Sequence, residues 1–334
     1  MYKLLDNVGN TPLIKLSTLS KQLGVGIYAK YEAANPSGSI KARAAKMMIL
    51  AAEDRGEISP KKTTLVEPTS GNTEIAIAMV AAARGYKCII CMPETMSVER
   101  RKTMGSYGAK IVLTKGDKGL QGSVDAANKI VKENKNAWLV GQFDNPDNPL
   151  CHELETGPEI YEELGFVPEY LITGSGTGGT ITGITHYFRK LRRVIISNAR
   201  VLGSEEEGKL AKMLVPKIQA YAVEPSTSAI ISQKKAHKKI KPGAHGIQGI
   251  GPNFVPGVLD TKLLAGAISV STQDAINQAK WLSKHEGLQV GISSGANVAA
   301  IRKFVKDNPD VKNKTIITVL PDAADRYMST ALFS

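Results

Sequence analysis

The stretch YLITGSGTGGTITGITHYFRKL, residues 170–191, decides the fold class. An apolar run that ends at Gly174 predicts a strand, and the residues from Ile181 onward predict a helix. Between them lies the glycine loop GSGTGGT, residues 174–180. Unpaired backbone N–H groups and the positive end of the helix meet in such a loop, and glycines let an anion come close. The stretch therefore predicts an α/β fold with an anion site at the end of a strand.

Two other interpretations of this loop compete with a phosphate site. Gly174, Gly176 and Gly179 satisfy the GxGxxG pattern of dinucleotide-binding folds. That pattern requires an acidic residue about 20 residues further on, and RRVIISNAR (192–200) contains none. The hydroxyl groups of the loop favour a terminal monophosphate over a pyrophosphate. An ordinary tight turn without a ligand remains the other alternative.

Length and composition indicate a globular enzyme. The chain has 334 residues, which at about 150 residues per domain predicts two packed units or one large one. Hydrophobic residues make up 42% and charged residues 22%, and these values exclude a disordered tail or a coiled coil. The formal net charge of +12 favours anionic small molecules as ligands. Binding to nucleic acid is not expected, because no zinc-finger, RNA-recognition or basic-zipper motif accompanies the charge.

No segment indicates export or membrane contact. The N-terminus turns polar after five residues, and the longest apolar stretch, Ile75 to Ala83, is far shorter than a bilayer span of roughly 20 residues. Three cysteines are too few, and odd in number, for a disulfide framework. Cys88 and Cys91 have CxxC spacing, but three positions apart on a predicted strand they face opposite sides. We expect a cytoplasmic protein with core thiols and no metal site.

Short apolar runs alternate with helical patterns along the chain. The predicted strands cover residues 27–31, 63–67, 87–92, 110–114, 137–141, 170–174, 220–224, 288–292 and 315–320. The predicted helices cover residues 41–56, 72–85, 97–108, 122–134 and 272–287. This alternation predicts mainly parallel sheets that helices cover on both faces. Residues 197–217 predict an inserted helix hairpin, because Glu205 to Glu207 favour a helix start.

Three further segments carry residues suited to chemistry. Lys41 opens a predicted helix behind the turn NPSGS (35–39), and a helix start disfavours a protonated lysine, as imine chemistry requires. EPTSGNT (67–73) follows a strand and offers donors suited to a carboxylate, and GISSGAN (291–297) places paired serines before another helix. A solvated lysine and ordinary helix caps are the alternatives. Three glycine turns at strand ends, however, are more than capping requires.

These segments and several others resemble a known family, in the right order over nearly the whole chain. The matching segments are NVGNTPLIKL (7–16), NPSGSIKAR (35–43), EPTSGNT (67–73), MPETMSVERRKTMGSYGAKIVLT (92–114), QFDNPDNPLCHELETGPEI (142–160), GSGTGGTITG (174–183), HGIQGIG (245–251), VGISSGA (290–296) and DRYMSTALF (325–333). Together they resemble the cysteine synthase family, also called O-acetylserine sulfhydrylases.

The resemblance implies the type II fold of enzymes that use pyridoxal 5'-phosphate (PLP). This fold has two three-layer α/β domains with mainly parallel sheets, usually in a homodimer. Residues 1–40 and 146–334 are expected to form a larger cofactor-binding domain and residues 41–145 a smaller, mobile substrate domain. Residues 197–217 are expected to be a peripheral insertion.

The resemblance also implies roles for individual residues. Lys41 would form the Schiff base, Asn72 would hydrogen-bond the ring hydroxyl of PLP, and Ser293 would face the pyridine nitrogen. The residues implied to hold the phosphate are Gly176, Thr177, Gly178, Gly179 and Thr180. The residues implied to bind the substrate carboxylate are Thr69, Ser70, Gly71, Thr73 and Gln142.

The implied reaction is a β-replacement, in which O-acetylserine and sulfide give cysteine and acetate through an aminoacrylate. Lys41 would serve as both imine partner and base. A serine at the pyridine nitrogen does not enforce a pyridinium, which favours elimination at the β-carbon over transamination.

The chain departs from the family pattern at three places. Ala42 stands where the family usually has Asp after the lysine, and Glu74 follows Thr73 where the family usually has Gly. The segment DAADRY (322–327) replaces a Ser and a Gly-Glu pair. Two alternatives follow. One is a relative with another donor or nucleophile, such as a cystathionine β-synthase, a cysteine desulfhydrase or a diaminopropionate-type synthase. The other is a catalytically weak homologue that acts as a regulator.

Overall fold

The computed structural model describes residues 3–69 and 71–334, apart from the side chain of Glu99. It divides the chain into two compact units. The first unit contains the residues up to Gly9 together with Asn35–Asn148, and the second contains Asn10–Ala34 and Pro149–Ser334. Among the described residues, no helix is both long and apolar enough to cross a membrane.

Strands and helices alternate along the described residues. The strands are β1 (Leu13–Lys15), β2 (Gly26–Tyr31), β3 (Thr64–Pro68), β4 (Lys87–Pro93), β5 (Lys110–Thr114), β6 (Ala137–Leu139), β7 (Tyr170–Gly174), β8 (Gln219–Pro225), β9 (Leu264–Val270) and β10 (Thr315–Leu320). The α-helices are α1 (Ser17–Leu23), α2 (Lys41–Asp54), α3 (Asn72–Arg84), α4 (Val98–Ser106), α5 (Gly119–Glu133), α6 (Asp147–Cys151), α7 (Gly157–Leu164), α8 (Gly179–Asn198), α9 (Glu205–Leu214), α10 (Ile230–Lys235), α11 (Thr272–Glu286) and α12 (Ile292–Asp307).

Each unit contains one sheet. The sheet of the first unit has the strand order β5-β4-β3-β6, and all of its described pairs are parallel. The sheet of the second unit has the order β1-β2-β10-β7-β8-β9, in which only the β1–β2 pair is antiparallel. Continuous apolar strands such as β10 are buried along most of their length, because helices cover both faces of a parallel sheet. The predicted α/β class with mainly parallel sheets is confirmed.

The strand predicted at residues 288–292 is wrong. This segment makes one isolated antiparallel bridge, between Val290 and Ala323, and α12 already begins at Ile292. Conversely, the sequence analysis does not predict β1 or β9. β9 begins Leu-Ala-Gly-Ala, which lacks β-branched residues, and its pairing to β8 in the folded sheet makes it a strand.

The division between the units follows contacts of the N-terminal segment. The turn Leu4–Asn7 packs on α3, and the backbone N–H of Gly9 donates to Asn35 Oδ1 at 3.0 Å. Residues up to Gly9 and residues 35–40 therefore group with the first unit, whereas the domain boundaries expected from the sequence place them in the larger domain.

Residues 197–217 extend α8 and add a second helix. After α8 the chain forms a π-helical turn, Ala199–Gly203, and α9 starts with the three glutamates that the sequence pattern singled out. Ser204 caps α9, since its Oγ accepts a hydrogen bond from the backbone N–H of Glu207 at 3.1 Å. Gly208 is the only buried residue of α9.

Helices α11 and α12 pack closely enough to require glycine at one position. A Cβ at Gly295 in α12 would overlap the carbonyl oxygen of Ala275 and would lie 2.5 Å from the backbone nitrogen of Ala279. Both contacts are to backbone atoms of α11, which cannot move aside as the end of a flexible side chain could.

We expect Gly295→Ala to lower the free energy of unfolding by roughly 1–3 kcal/mol, the usual range for overpacking a core. Gly105→Ala is the matched control: Gly105 is an exposed residue in α4, and a Cβ there would meet no atom within 4 Å. The control should be neutral or slightly stabilising. Urea unfolding of both variants measures the difference, and a stabilised Gly295→Ala variant would contradict the close packing.

Candidate active site

In the first unit, polar side chains gather where β3 ends and α3 begins. Thr73 Oγ1 donates to Gln142 Oε1 at 2.6 Å, and Gln142 Nε2 donates to Thr69 Oγ1 at 3.4 Å. Gln142 is buried, and its backbone carbonyl oxygen accepts a hydrogen bond from Asn148 Nδ2 at 2.7 Å. The structure thus brings together three of the residues that the resemblance implies for a substrate carboxylate, Thr69, Thr73 and Gln142.

The start of α3 supplies the backbone of this cluster. Gly71 is the N-cap of α3 and makes no side-chain capping hydrogen bond, and Asn72 is the first residue of the helix. The positive end of the helix and its first N–H groups therefore lie beside the hydroxyl and amide groups just described. Ser70, also expected to bind substrate, lies outside the described residues.

Glu67 lies in β3, behind this cluster, and is fully buried. Its carboxylate accepts from the backbone N–H of Gly141 at 2.8 Å and of Gln142 at 3.4 Å. Burial raises the pKa of Glu67 to about 7, although these hydrogen bonds and the positive charge of Lys41 act in the opposite direction. The carboxyl therefore exchanges a proton near neutral pH.

Lys41 is the first residue of α2 and is half-buried. A helix start disfavours a positive charge, whereas the nearby Glu67 favours it. The next two side chains, Ala42 and Arg43, are fully buried. Position 42 is thus a packing position, and a carboxylate there would have to be buried. This accounts for alanine where the family usually has Asp.

The unusual Glu74 is compensated by a cation. Its side chain is fully buried in the first turn of α3, and its Oε1 lies 3.8 Å from Arg100 Nη1. A Cβ at Gly71 would lie 4.0 Å from the same Nη1, so the guanidinium also borders the turn that precedes α3. A cation therefore lies near this negative charge. We call the residues Thr69, Thr73 and Gln142, which are expected to bind a substrate carboxylate, the carboxylate cluster.

In the second unit, the glycine loop after β7 packs tightly against its surroundings. A Cβ at Gly176 would overlap the carbonyl oxygen of Gly249, and one at Gly178 would lie 2.5 Å from Leu259 Cβ. Gly178 also has a φ of +84°, a left-handed conformation that side-chain-bearing residues rarely adopt. Glycine is required at both positions for the loop to form.

This loop fits a single phosphate group. Gly178 is the N-cap of α8 and contributes no side chain, and the N–H of Gly179 donates to Thr177 Oγ1 at 3.3 Å, so the positive end of the helix and a threonine hydroxyl lie together in the loop. Thr177 and Thr180 add hydroxyl groups, and residues 174–180 contain no acidic side chain that would repel a phosphate. All five residues expected to hold the phosphate therefore lie together in one turn at the start of a helix.

The segment HGIQGIG (245–251) belongs to the same site, although the sequence analysis used it only for the resemblance. The N–H of Gly251 donates to the carbonyl of Ser175 at 3.0 Å, and a Cβ at Gly249 would lie 3.8 Å from Ser293 Oγ. Ser293 is buried in the first turn of α12. The segment thus links the glycine loop to the serine expected at the pyridine nitrogen.

His152 is a further residue of this site that the sequence analysis did not assign. Its Nε2 lies 3.2 Å from Thr180 Oγ1, and its Nδ1 lies 2.9 Å from Thr156 Oγ1. The ring is buried within a π-helical turn, His152–Thr156, between α6 and α7. A lone histidine carries no sequence signal for this role, because the contact with Thr180 joins segments far apart in the chain.

The cysteines are core thiols. Cys88, Cys91 and Cys151 are buried and are not joined in disulfides, and burial raises the pKa of Cys91 to about 11. Among residues 3–69 and 71–334, no group of three or more His, Cys, Asp or Glu side chains has an arrangement that could hold a metal ion. The interpretation of Cys88 and Cys91 as core thiols agrees with this burial.

Comparison with known proteins shows which family this chain resembles over its length. The family described as pyridoxal-phosphate dependent enzymes matches residues 4–322. Cysteine synthase A of Salmonella typhi is 45% identical over 98% of this chain and 94% of its own length. The crystal structure of cysteine synthase from Entamoeba histolytica has a TM-score of 0.85 at 33% identity, covering 100% of this chain and 90% of that one.

A second solved structure with a TM-score of 0.85 is that of an O-ureido-L-serine synthase, which is 35% identical and covers 100% of this chain and 95% of its own. The matched lengths include the carboxylate cluster after β3, the glycine loop after β7 and Lys41. The chain belongs to the cysteine synthase family of PLP-dependent enzymes.

Proposed function

We propose that this enzyme makes cysteine and acetate from O-acetylserine and sulfide by β-replacement. The observation that carries the proposal is the hydrogen-bonded cluster of Thr69, Thr73 and Gln142 at the start of α3. Within this cluster Thr69 keeps its hydroxyl proton and Gln142 keeps a second amide N–H, and these donors, beside the N–H groups at the start of α3, suit the carboxylate of an amino acid. The similarity to cysteine synthases over 98% of the chain supports the same substrates.

PLP, when bound, supplies an electron sink for the bonds at the substrate's α-carbon. Lys41 would hold the cofactor through its aldehyde carbon in the resting enzyme, and as a free amine it would take the proton from the substrate's α-carbon. Its place at a helix start favours the neutral amine that both tasks require. Glu67 lies close enough to act on the charge of Lys41 and on the backbone of Gln142, and so couples the base to the carboxylate cluster.

The remaining residues hold and tune the cofactor. We propose that Asn72 hydrogen-bonds the ring hydroxyl and that Gly176–Thr180 bind the phosphate. Ser293 faces the pyridine nitrogen, where a neutral hydroxyl leaves the ring less electron-withdrawing than an aspartate would. This arrangement favours loss of the β-substituent, as β-replacement requires. We also propose that Ser70 and Gly71 help to bind the substrate carboxylate.

We further propose that the enzyme is a cytoplasmic homodimer, as the resemblance implies. Three buried cysteines that are not joined in disulfides are in keeping with a reducing compartment.

The first test concerns Lys41. Purified enzyme with added PLP should show an absorption band near the visible edge, and Lys41→Ala should lose it. Release of acetate from O-acetylserine should fall by at least about a thousandfold, the scale expected for removing a general base that is also the covalent anchor. Lys46→Ala, in the same helix, is the control: its Nζ donates to the carbonyl of Val8 at 3.2 Å. An unchanged spectrum in Lys41→Ala would refute the proposal.

The second test concerns Glu67. Its ordinary pKa of 4.5 is raised to about 7 in the folded enzyme, so the folded state binds the proton more tightly. The stability of the wild type relative to Glu67→Gln should therefore fall as pH rises from about 4.5 to about 7, and then level off. Urea unfolding at several pH values and constant ionic strength measures this. Glu206→Gln, at an exposed glutamate, is the control, and parallel curves for wild type and Glu67→Gln would contradict the assignment.

The third test concerns Glu74. Glu74→Gln keeps the shape of the side chain but removes the negative charge that lies 3.8 Å from Arg100 Nη1, near Gly71. The KM for O-acetylserine should then fall by roughly threefold at low salt, since a partly buried charge contributes on the order of 1 kcal/mol. Screening should shrink the effect at high salt. A KM that stays the same at low salt would show that Glu74 serves only the start of the helix.

A further inference from the structure

His152 connects the glycine loop to a second element of the second unit. Its two ring nitrogens each lie within hydrogen-bond distance of a threonine hydroxyl, Thr180 at 3.2 Å and Thr156 at 2.9 Å. Thr180 is in the first turn of α8, whereas His152 and Thr156 are the two ends of a π-helical turn. The imidazole thus bridges the start of α8 to a buried hydroxyl outside the loop.

The backbone holds His152 rigidly in this place. A Cβ at Gly183 in α8 would overlap the carbonyl oxygen of Pro149 and would lie 2.7 Å from His152 Cβ. This close approach is possible only because position 183 is glycine, and it sets the imidazole one helical turn from Thr180. His152 is 2% exposed and Thr156 is fully buried, so water does not compete for their hydrogen bonds.

The protons available to His152 and the two threonines determine the direction of the hydrogen bond between His152 and Thr180. A threonine hydroxyl has one proton to donate, and a neutral imidazole has one N–H and one acceptor nitrogen. If Thr156 donates to Nδ1, the N–H is on Nε2 and donates to Thr180 Oγ1. The proton of Thr180 is then left to donate elsewhere. An imidazolium, which donates from both nitrogens, orients Thr180 in the same way.

The opposite arrangement would work against anion binding. With the N–H on Nδ1, Thr180 would donate its only proton to Nε2 and turn lone pairs toward the remaining space of the loop. A phosphate placed there would meet an acceptor instead of a donor, which costs free energy. The position of the proton on the His152 ring therefore decides whether Thr180 can help to hold an anion.

We propose that His152 is a positioning residue that, together with Thr156, directs the hydroxyl proton of Thr180 toward the cofactor phosphate. This proposal rests on the proposed role of the Gly176–Thr180 loop as the phosphate site. It assigns to His152 no contact with substrate and no part in proton transfer during the reaction. Its role is to set, through its tautomer, the direction in which the hydroxyl of Thr180 donates at the phosphate site.

The variants for a test follow from the two hydrogen bonds. His152→Leu removes both and keeps a side chain of comparable size, whereas His152→Gln restores a donor near the position of Nε2. Thr156→Val removes the hydroxyl at Nδ1 without changing shape. Thr180→Val removes the hydroxyl that the others are proposed to orient.

Two measurements on the holoenzyme report on the phosphate. Retention of PLP during dialysis, followed by the cofactor's absorbance, should fall about tenfold in His152→Leu and less in Thr156→Val, while His152→Gln stays close to wild type. The phosphorus-31 NMR signal of bound PLP should move in His152→Leu in the same direction as in Thr180→Val. Unchanged retention and an unchanged signal in His152→Leu would overturn the proposal.

A double-mutant cycle separates positioning from packing. If His152 acts through Thr180, His152→Leu should weaken retention much less in a Thr180→Val background than in wild type. Equal losses in the two backgrounds would show that His152 only packs, and would overturn the proposal. If His152→Leu does not fold, the cycle between Thr156→Val and Thr180→Val gives the same decision.

The same experiment distinguishes the two proposals. If Thr180→Val retains PLP as wild type does and leaves the phosphorus signal in place, the phosphate does not bind at this hydroxyl and the proposed role of Thr180 fails. If Thr180→Val weakens retention but His152→Leu adds the same loss in both backgrounds, the phosphate site stands and only the positioning role of His152 fails.

Discussion

The proposed cofactor site of this enzyme depends on a close contact between the backbones of two glycines, Gly176 and Gly249. Gly176, in the turn after β7, lies so close to the carbonyl of Gly249 that a single added carbon would overlap it. The segment around Gly249 in turn reaches Ser293, and the hydrogen bond from Gly251 to Ser175 closes the arrangement. A side chain at Gly176 would push apart the groups expected to hold the phosphate and to face the pyridine nitrogen.

Electrostatic balance is the second constraint, and the chain meets it with pairs of groups. Glu67 is buried, which makes its charge costly, yet two backbone N–H groups and the nearby Lys41 offset part of that cost. Glu74 is buried beside the carboxylate cluster, and Arg100 compensates it. In both cases a negative charge near the proposed substrate site lies close to a cation. This reduces the repulsion that a substrate carboxylate would meet.

Two of the three departures from the family pattern, Ala42 and Glu74, fit their local surroundings, and nothing in the structure explains the segment DAADRY (322–327). Ala42 is a core position, where a carboxylate would need a buried partner. Glu74 starts a helix and pairs with a guanidinium. Neither change removes a group from the carboxylate cluster, the glycine loop or the lysine at the start of α2. These observations favour an active enzyme over a catalytically weak regulator.

How far the sequence could predict this enzyme depends on whether a feature is local. Strands β5, β7 and β10 match their predicted bounds, because apolar runs between turn residues show within a few positions. The glycine loop and its helix were also predictable, since the chemistry of a strand, a turn and a helix start is contained in the stretch from Tyr170 to Leu191.

What only the tertiary structure decided are contacts between distant segments. Residues 288–292 read as a strand from their apolar run but pair at a single bridge, because no neighbouring strand is placed to continue the ladder. β9 is a strand although its sequence is weakly β-forming, because β8 offers it a partner. The sequence by itself thus determined the α/β class, the family and the residues of each turn. The fold alone determined the bridge from His152 to Thr180, the place of Gly249 beside Ser293 and the cation beside Glu74. A local pattern carries no information about which side chains meet across the chain.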